Sequence, residues 1–298
     1  MPPQTAPYGA PKGKGAGFWN VPAVVTPKSG LISVSCRTVN FCVAVGANGE
    51  LSSFDGTTWS APLTADNIMF LSTVSCPTTR SCIAFDYSGH ELAFNGDDWT
   101  APKIVDASGE FNSVSCPTTN FCAGIDWFGH AVMYHGGAWT KPVTVAAGGK
   151  LQSISCASPR FCVAVGGTGE EVTYNGSSWL KPELVNHFGA LGSVSCPTTA
   201  FCAAVGYKGS IVLYQDGKWG APQEHAALAP YGLNGVSCTS ADFCAAVETE
   251  GAIVVNYNGA TWTPSNIMDP DGDPYDISCA TTTFCVVVDD GGNAVIGY

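Results

Sequence analysis

The sequence predicts an all-β fold, a seven-bladed β-propeller with four strands per blade, and two repeating features carry this prediction. Each interval of about forty residues contains a cysteine pair with the spacing C-x5-C. A period near forty residues with four strand-like segments per unit is typical of propeller blades. Seven tryptophans share this period: Trp19, Trp59, Trp99, Trp139, Trp179, Trp219 and Trp262.

The repeat unit reads L-x-S-V-S-C-P-T-T-x-F-C-x-A-V-G, followed by Y-N-G-x-x-W-x-x-P. The S-V-S-C run predicts the first strand and the F-C-x-A-V run the second, because the residues between them favour a turn. A third strand ends at an aromatic residue such as Tyr174, and an Asn-Gly or Asp-Gly turn leads into the fourth strand with its tryptophan. The proline after that tryptophan suits an outermost strand, where a missing N–H donor is tolerated.

The two ends of the repeat array predict how the ring closes. Residues 18–25 match a fourth strand without its first three, and the chain ends at Gly297 and Tyr298, where a third strand ends. The N-terminal strand should therefore complete the last blade, giving seven blades over residues 18–298. Residues 1–17 are rich in proline and glycine, and we expect them to form a flexible tail or linker.

The fourteen cysteines pair without remainder, which predicts seven disulfides rather than zinc sites, whose C-x2–4-C spacing is absent. Disulfides persist in oxidising compartments, so we expect a secreted, extracellular protein whose signal peptide has been removed. The predicted pairs are Cys36–Cys42, Cys76–Cys82, Cys116–Cys122, Cys156–Cys162, Cys196–Cys202, Cys238–Cys244 and Cys279–Cys285.

Charge and hydropathy exclude several classes of function. The chain carries 12 Lys and Arg against 24 Asp and Glu, a net charge of −12, so it lacks the basic surface that binds nucleic acid. No apolar run approaches the ~20 residues of a membrane-spanning helix. We expect a monomer with neither a nucleic-acid partner nor a membrane span.

The turn before the tryptophan resembles the Asp-box (BNR) repeats of sialidases and of related photosystem II assembly propellers. Residues 53–59, S-F-D-G-T-T-W, are the nearest copy, and the C-x5-C repeat is similar to one in secreted actinobacterial propellers of unassigned function. The resemblance implies the propeller fold and a structural turn remote from any active site. A sialidase site also needs an arginine cluster, but Arg37, Arg80 and Arg160 all fall in the cysteine hairpins, which predicts the opposite face.

Blades two and three share a D-aromatic-x-G-H motif in the loop between their second and third strands. An aromatic ring beside carboxylates suits a sugar, because the ring stacks on its apolar face while the acids bind its hydroxyls. A His–carboxylate pair also suits proton transfer or metal ligation, with His90 or His130 as base and Asp86 or Asp126 as its partner. Duplication of one blade from the other would leave the same residues without function. The predicted ligand-binding residues here are Asp86, Tyr87, His90, Asp126, Trp127 and His130.

Three further ligand residues come from other parts of the same predicted face. Asn112 and Gln152 belong to a set of first-strand residues near the channel mouth that differ from blade to blade, and Tyr207 lies in the corresponding loop of blade five. An amide ring of this kind suits hydroxyl groups, or ordered water alone.

The acidic stretch that enters blade seven is a candidate Ca²⁺ site. Asp269, Asp271 and Asp273 supply clustered carboxylates, although the spacing is not that of an EF-hand. The alternative is a solvated acidic turn, so we expect either no cofactor or Ca²⁺.

The sequence favours an extracellular recognition module that binds a glycan or polysaccharide through one propeller face. Two alternatives remain open: a polysaccharide lyase or hydrolase with a His/Asp site, and a protein-binding scaffold. A deep central pocket would favour the enzyme, shallow repeated clefts the lectin, and a large exposed apolar patch the scaffold.

Overall fold

A computed structural model describes residues 19–27, 29–65, 70–107, 109–225, 229–248, 253–267 and 272–298, with side chains except at 265–267. It confirms the seven-bladed propeller, each blade being an antiparallel sheet whose strands run in sequence order from the channel to the rim. A single 3-10 turn, Tyr207–Gly209, is the helical element of the described residues. The predicted tail of residues 1–17 lies outside them.

Strand lengths repeat from blade to blade. An eight-residue innermost strand and a six-residue second strand precede a third strand of five or six residues. The strands up to blade three are β1 (Ala23–Val24), β2 (Leu31–Thr38), β3 (Phe41–Gly46), β4 (Glu50–Phe54), β5 (Leu63–Thr64), β6 (Leu71–Thr78), β7 (Ser81–Asp86), β8 (His90–Phe94), β9 (Lys103–Ile104), β10 (Phe111–Thr118), β11 (Phe121–Asp126), β12 (His130–His135), β13 (Ala138–Trp139) and β14 (Val143–Thr144).

The remaining four blades follow the same plan, and blade seven takes its outer strand from the N-terminus. Their strands are β15 (Leu151–Ser158), β16 (Phe161–Gly166), β17 (Glu170–Tyr174), β18 (Glu183–Leu184), β19 (Leu191–Thr198), β20 (Phe201–Gly206), β21 (Ser210–Gln215), β22 (Lys218–Trp219), β23 (Gln223–Glu224), β24 (Leu233–Ser240), β25 (Phe243–Glu248), β26 (Ile253–Tyr257), β27 (Trp262–Ile267), β28 (Pro274–Thr281), β29 (Phe284–Asp289) and β30 (Asn293–Gly297).

The ring closes as predicted. Strand β1 pairs with β30 through Ala23 opposite Ala294, and Trp19 bridges to Gly297. The innermost strands β2 and β28 then contact each other like any other neighbouring pair. Closure by the first strand gives the last blade a four-stranded sheet like the others, with a short two-residue strand at its outer edge.

The second serine of the S-V-S-C run joins each blade to the next, and the first serine or its substitute does so at most junctions. The hydroxyl of the second serine accepts a hydrogen bond from the cysteine N–H of the following blade, as when the Cys196 N–H donates to Ser155 Oγ at 2.9 Å. This bond recurs at all seven junctions, including Ser278 with Cys36. The hydroxyls thereby accept hydrogen bonds from N–H groups on the edge of each innermost strand that has no partner strand. Without them these donors would be unsatisfied.

All seven predicted disulfides are present, and no cysteine is free. Each bond crosses the first hairpin of a blade, with Cα atoms 3.9 to 4.1 Å apart. The core consists of apolar layers between neighbouring blades, into which each blade inserts its tryptophan and the aromatic residue that ends its third strand.

Candidate functional site

Two kinds of loop share one face of the propeller, which we call the loop face. In the six blades where the structure describes it, the loop after the second strand is hydrogen-bonded to the loop that enters the same blade, as from the Tyr87 N–H to the Phe70 carbonyl and from the Trp127 N–H to the Glu110 carbonyl. The cysteine hairpins and the turns before the tryptophans meet on the other face, the hairpin face, where Gly136 N–H donates to the Asn120 carbonyl.

The D-aromatic-x-G-H motif forms a compact turn closed by its own aspartate. One oxygen of Asp126 accepts the backbone N–H of His130 at 2.7 Å, and the other contacts its Nδ1 at 2.7 Å. Asp86 and His90 repeat this geometry, with an Nδ1 contact of 2.8 Å. Glycine is required between them because Gly129 has a φ of +85° and a Cβ there would meet the Ala146 carbonyl at 2.1 Å.

Both aspartates face inward and are almost completely buried. In blade seven Asp289 holds Asn293 in the same way, accepting its backbone N–H at 2.8 Å and its side-chain amide at 3.0 Å. Asparagine cannot act as a general base, yet it occupies the histidine position with the same contacts. The motif therefore closes a turn in each of these blades, and its carboxylates are buried and hydrogen-bonded within that turn.

Exposed aromatic side chains gather on the loop face around the channel mouth. Among the described residues, every exposed Phe, Tyr or Trp side chain belongs to this set, whereas the exposed aliphatic side chains, such as Leu63 and Ile104, lie on outer strands or the hairpin face. We call this set the aromatic rim: Tyr87, Trp127, Phe128, Tyr207, Tyr231 and Tyr275.

A polar pocket of about 310 Å³ occupies the channel mouth inside this rim. It exists because each innermost strand shifts register near its start, as between Leu31 and Ser33. Such a bulge turns two consecutive side chains to one side, where a regular strand would place them on opposite faces. Ile32 and Ser33 line the channel together, as do Tyr275 and Asp276.

Asp276 is the charged residue of the pocket lining, and the sequence analysis did not single it out. It stands where the repeat has its first serine, and its Oδ2 accepts the Val34 N–H at 3.0 Å and the Ser33 hydroxyl at 3.1 Å. Its Oδ1 accepts the Ile277 N–H at 2.8 Å. Burial raises the pKa of Asp276 to about 6, although these three hydrogen bonds act to lower it. Aligning the seven repeats would have exposed it as the one acid at that position.

The structure places the remaining predicted residues on the loop face with different surroundings. Asn112 and Gln152 line the pocket, but the Asn112 amide donates to the Leu151 carbonyl of the next blade. Tyr207 is exposed on the aromatic rim. Asp273 is exposed and its N–H donates to Asp290, while Asp269 and Asp271 lie outside the described residues. Their proposed roles as ligands stay predictions.

One group of side chains has the composition of a metal site. Ligand atoms of Asp106, Asp126 and His130 lie within 4.8 Å of one another. The Asp126 oxygens already hold the turn, so this group fits a metal less well than a set of uncommitted donors would.

A larger cavity, of about 650 Å³, lies far from the channel, in the cleft between the outer parts of blades one and two. Ser53 stands there, at the position that Met133, Leu213 and Ile296 occupy in other blades.

The arginines lie as the sequence predicts, away from the pocket. Arg80 is on the hairpin face, 3.6 Å from Asp97, with both side chains exposed. Arg160 lies in the equivalent position of blade four, where a Cβ added to Gly176 would come within 2.9 Å of the Arg160 Cβ. Among the described residues, no helix is long and apolar enough to cross a membrane.

The fold of this chain is similar to those of several solved propeller structures. YCF48 bound to a D1 peptide is 15% identical, with a TM-score of 0.75 over 97% of this chain and 99% of that one. YCF48 from Cyanidioschyzon merolae is 16% identical, with a TM-score of 0.73 over 94% and 98%. The WD40 propeller domain of Doa1 is 12% identical, with a TM-score of 0.78 over 95% and 97%. No protein-family model and no curated protein matches the sequence. At these identities the likeness shows the fold alone.

Proposed function

We propose that this protein is an extracellular protein-binding scaffold that holds a peptide segment of its partner on the loop face. The observation that carries the proposal is the aromatic rim, because tyrosine and tryptophan dominate the energetic centres of protein interfaces. The seven disulfides fit an oxidising environment. The YCF48 structure with a bound peptide supports the same use of this fold.

The glycan hypothesis has less support. It relied on Asp86 and Asp126 beside Tyr87 and Trp127, but both carboxylates are turned inward and bind their own turns. The exposed rings alone are common to sugar and protein surfaces. Kinship with Asp-box or actinobacterial propellers is compatible with the proposal and adds no ligand to it.

The test is a random-peptide display selection on the immobilised protein, followed by affinity measurement of the selected peptides. The variant Tyr87→Ala/Trp127→Ala/Tyr207→Ala should weaken binding by at least tenfold, since interface anchors each contribute more than ~1 kcal/mol. The control Leu63→Ala/Ile104→Ala/Val143→Ala removes three exposed aliphatic side chains at the outer edge and should change affinity less than about twofold.

Circular dichroism should show the same β-sheet spectrum for both triple variants. An equal loss of peptide affinity in the two variants, or no loss in the aromatic variant, would overturn the assignment of the binding site to the loop face. A glycan array run in parallel separates the hypotheses: glycan binding lost in the aromatic variant, with no peptide selected, would favour the lectin.

A further inference from the structure

The central pocket combines one carboxylate with tyrosines and neutral polar groups. Asp276 lies in its wall, Tyr87 and Tyr275 line it, and Ser72, Asn112 and Gln152 belong to the uncharged part of the lining. No lysine, arginine or histidine of the described residues lines it. The negative charge of the pocket is therefore not neutralised from within.

The acid is not required by the architecture of the ring. At the equivalent position Ser113 and Ser153 accept the N–H of the following blade with a neutral hydroxyl. Gly235 precedes Asp276 in the ring and has no hydroxyl for Ile277, so the two oxygens of Asp276 serve both Ile277 and Val34. Two serines would satisfy both donors without burying a charge, which costs free energy unless a cation pairs with it.

Two tyrosines complete the environment that a cation prefers. The pKa of Tyr87 is raised, mainly because the side chain is buried and to a lesser extent because Glu110 and Tyr275 lie nearby. Tyr87 and Tyr275 are therefore close enough for the charge of one phenolate to affect the other. Aromatic faces attract ammonium and guanidinium groups by about 0.5–2 kcal/mol. The whole chain, with its net charge of −12, would attract a cationic partner from a distance.

We propose that the central pocket binds an alkylammonium or guanidinium group, held by Asp276 and by the rings of Tyr87 and Tyr275. This rests on the proposed function, because the group would most simply be a lysine or arginine side chain of the peptide on the loop face. A free amine of the same chemistry is the other source. The pocket volume of about 310 Å³ lies at the small end of ligand pockets and suits one side chain.

Ionisation of Asp276 makes this binding depend on pH. The titratable groups that line the pocket with Asp276 are Tyr87 and Tyr275, and Glu110 lies near Tyr87. The carboxyl of Asp276 has a pKa of about 6 and is mostly charged only above that pH. The affinity of the pocket for a cation should therefore rise between pH 5 and pH 7.

The test is an NMR titration of the ¹⁵N-labelled protein with n-butylammonium and with n-propylguanidinium, followed at the amides of Val34 and Ile277. These two N–H groups donate to Asp276, so they report the pocket directly. We expect saturable shifts with both cations and none with n-butanol, a neutral molecule of similar size. Asp276→Asn should weaken binding by roughly 10- to 100-fold. Asp55→Asn, which removes an acid on the hairpin face, should leave it unchanged.

Asp276→Ser, the residue that other blades use, gives a second neutral variant should the asparagine disturb folding. Equal shifts with n-butanol, or unchanged affinity in both neutral variants, would overturn the proposal. Replacing lysine by norleucine in a display-selected peptide separates the two proposals. Peptides that bind the rim without needing a cation, with no ammonium shift, would end this inference and keep the scaffold. Ammonium binding without any selected peptide would contradict the scaffold, keep the cation site and indicate a free amine as its ligand.

Discussion

At the scale of single residues, two buried glutamates occupy the same position of the repeat, each with hydrogen bonds from neighbouring side chains. Glu91 and Glu171 both occupy the second residue of a third strand and face the next blade. Glu91 accepts the indole N–H of Trp139 at 2.8 Å, which satisfies a buried donor. Glu171 is bonded to the Thr173 hydroxyl at 2.7 Å, and burial, with the nearby Glu183 carboxylate, raises its pKa to about 7.

The raised pKa of Glu171 makes stability depend on pH. Between its ordinary pKa near 4.5 and the folded value near 7, the folded state holds this proton more tightly than the unfolded state does. The free energy of unfolding should therefore fall as pH rises through this window, by up to about 3 kcal/mol from this group. Glu171→Gln should flatten the slope in urea unfolding between pH 4.5 and pH 7.5.

Glu224→Gln is the matched control, since Glu224 is exposed on the outer strand of blade five. It should leave the slope as in the wild type. A wild-type slope that survives in Glu171→Gln would show that the unfolded and folded proteins bind this proton equally.

At the scale of elements, the innermost strands join the blades through side chains rather than through a shared sheet. The second serine of every S-V-S-C run bonds the next blade, and the first serine or its substitute does so at most junctions. The recurring serines are thereby explained as structural. The register shift beside them creates the polar pocket at the same time.

Removing one of these hydroxyls should cost stability. Ser155→Ala leaves the Cys196 N–H without its acceptor, so we expect a loss of about 1–3 kcal/mol in the free energy of unfolding. Chemical denaturation followed by tryptophan fluorescence measures it. Ser177→Ala removes a serine from an exposed turn and should cost less than about 0.5 kcal/mol. Equal effects of the two variants would contradict the role of the serine ring.

At the scale of the whole molecule, seven short disulfides supplement a ring of thin apolar layers. Each closes a loop within one hairpin. This lowers the entropy of the unfolded chain and stabilises the folded state by about 2 kcal/mol in the entropic model. Because one bond serves each blade, stability is distributed around the ring instead of residing in one core.

The disulfide framework is directly testable. Alkylation of the denatured, unreduced protein should label no cysteine, whereas labelling after reduction should reach all fourteen. The pair Cys116→Ala/Cys122→Ala should lower the free energy of unfolding by about 2 kcal/mol and keep the β-sheet spectrum. Thiols that react without reductant would contradict the pairing.

The sequence by itself determined the blade count, the strand order, the disulfides and the closure by the N-terminal strand. Each of these follows from a local pattern that repeats about every forty residues, and a strand pairs mostly with its sequence neighbours in this fold. The same reasoning assigned the loops to the correct faces, because the direction of each strand decides on which face of the propeller the next loop lies.

Only the tertiary structure decided what surrounds the channel mouth. Asp86 and Asp126 look like ligand groups in the sequence, yet their oxygens are used within their own turns. Asp276 looks like the end of an acidic loop, yet a register shift turns it into the pocket beside Tyr275. The physical reason is that this site is assembled from side chains about forty residues apart, whose direction depends on a one-residue bulge that strand periodicity does not contain.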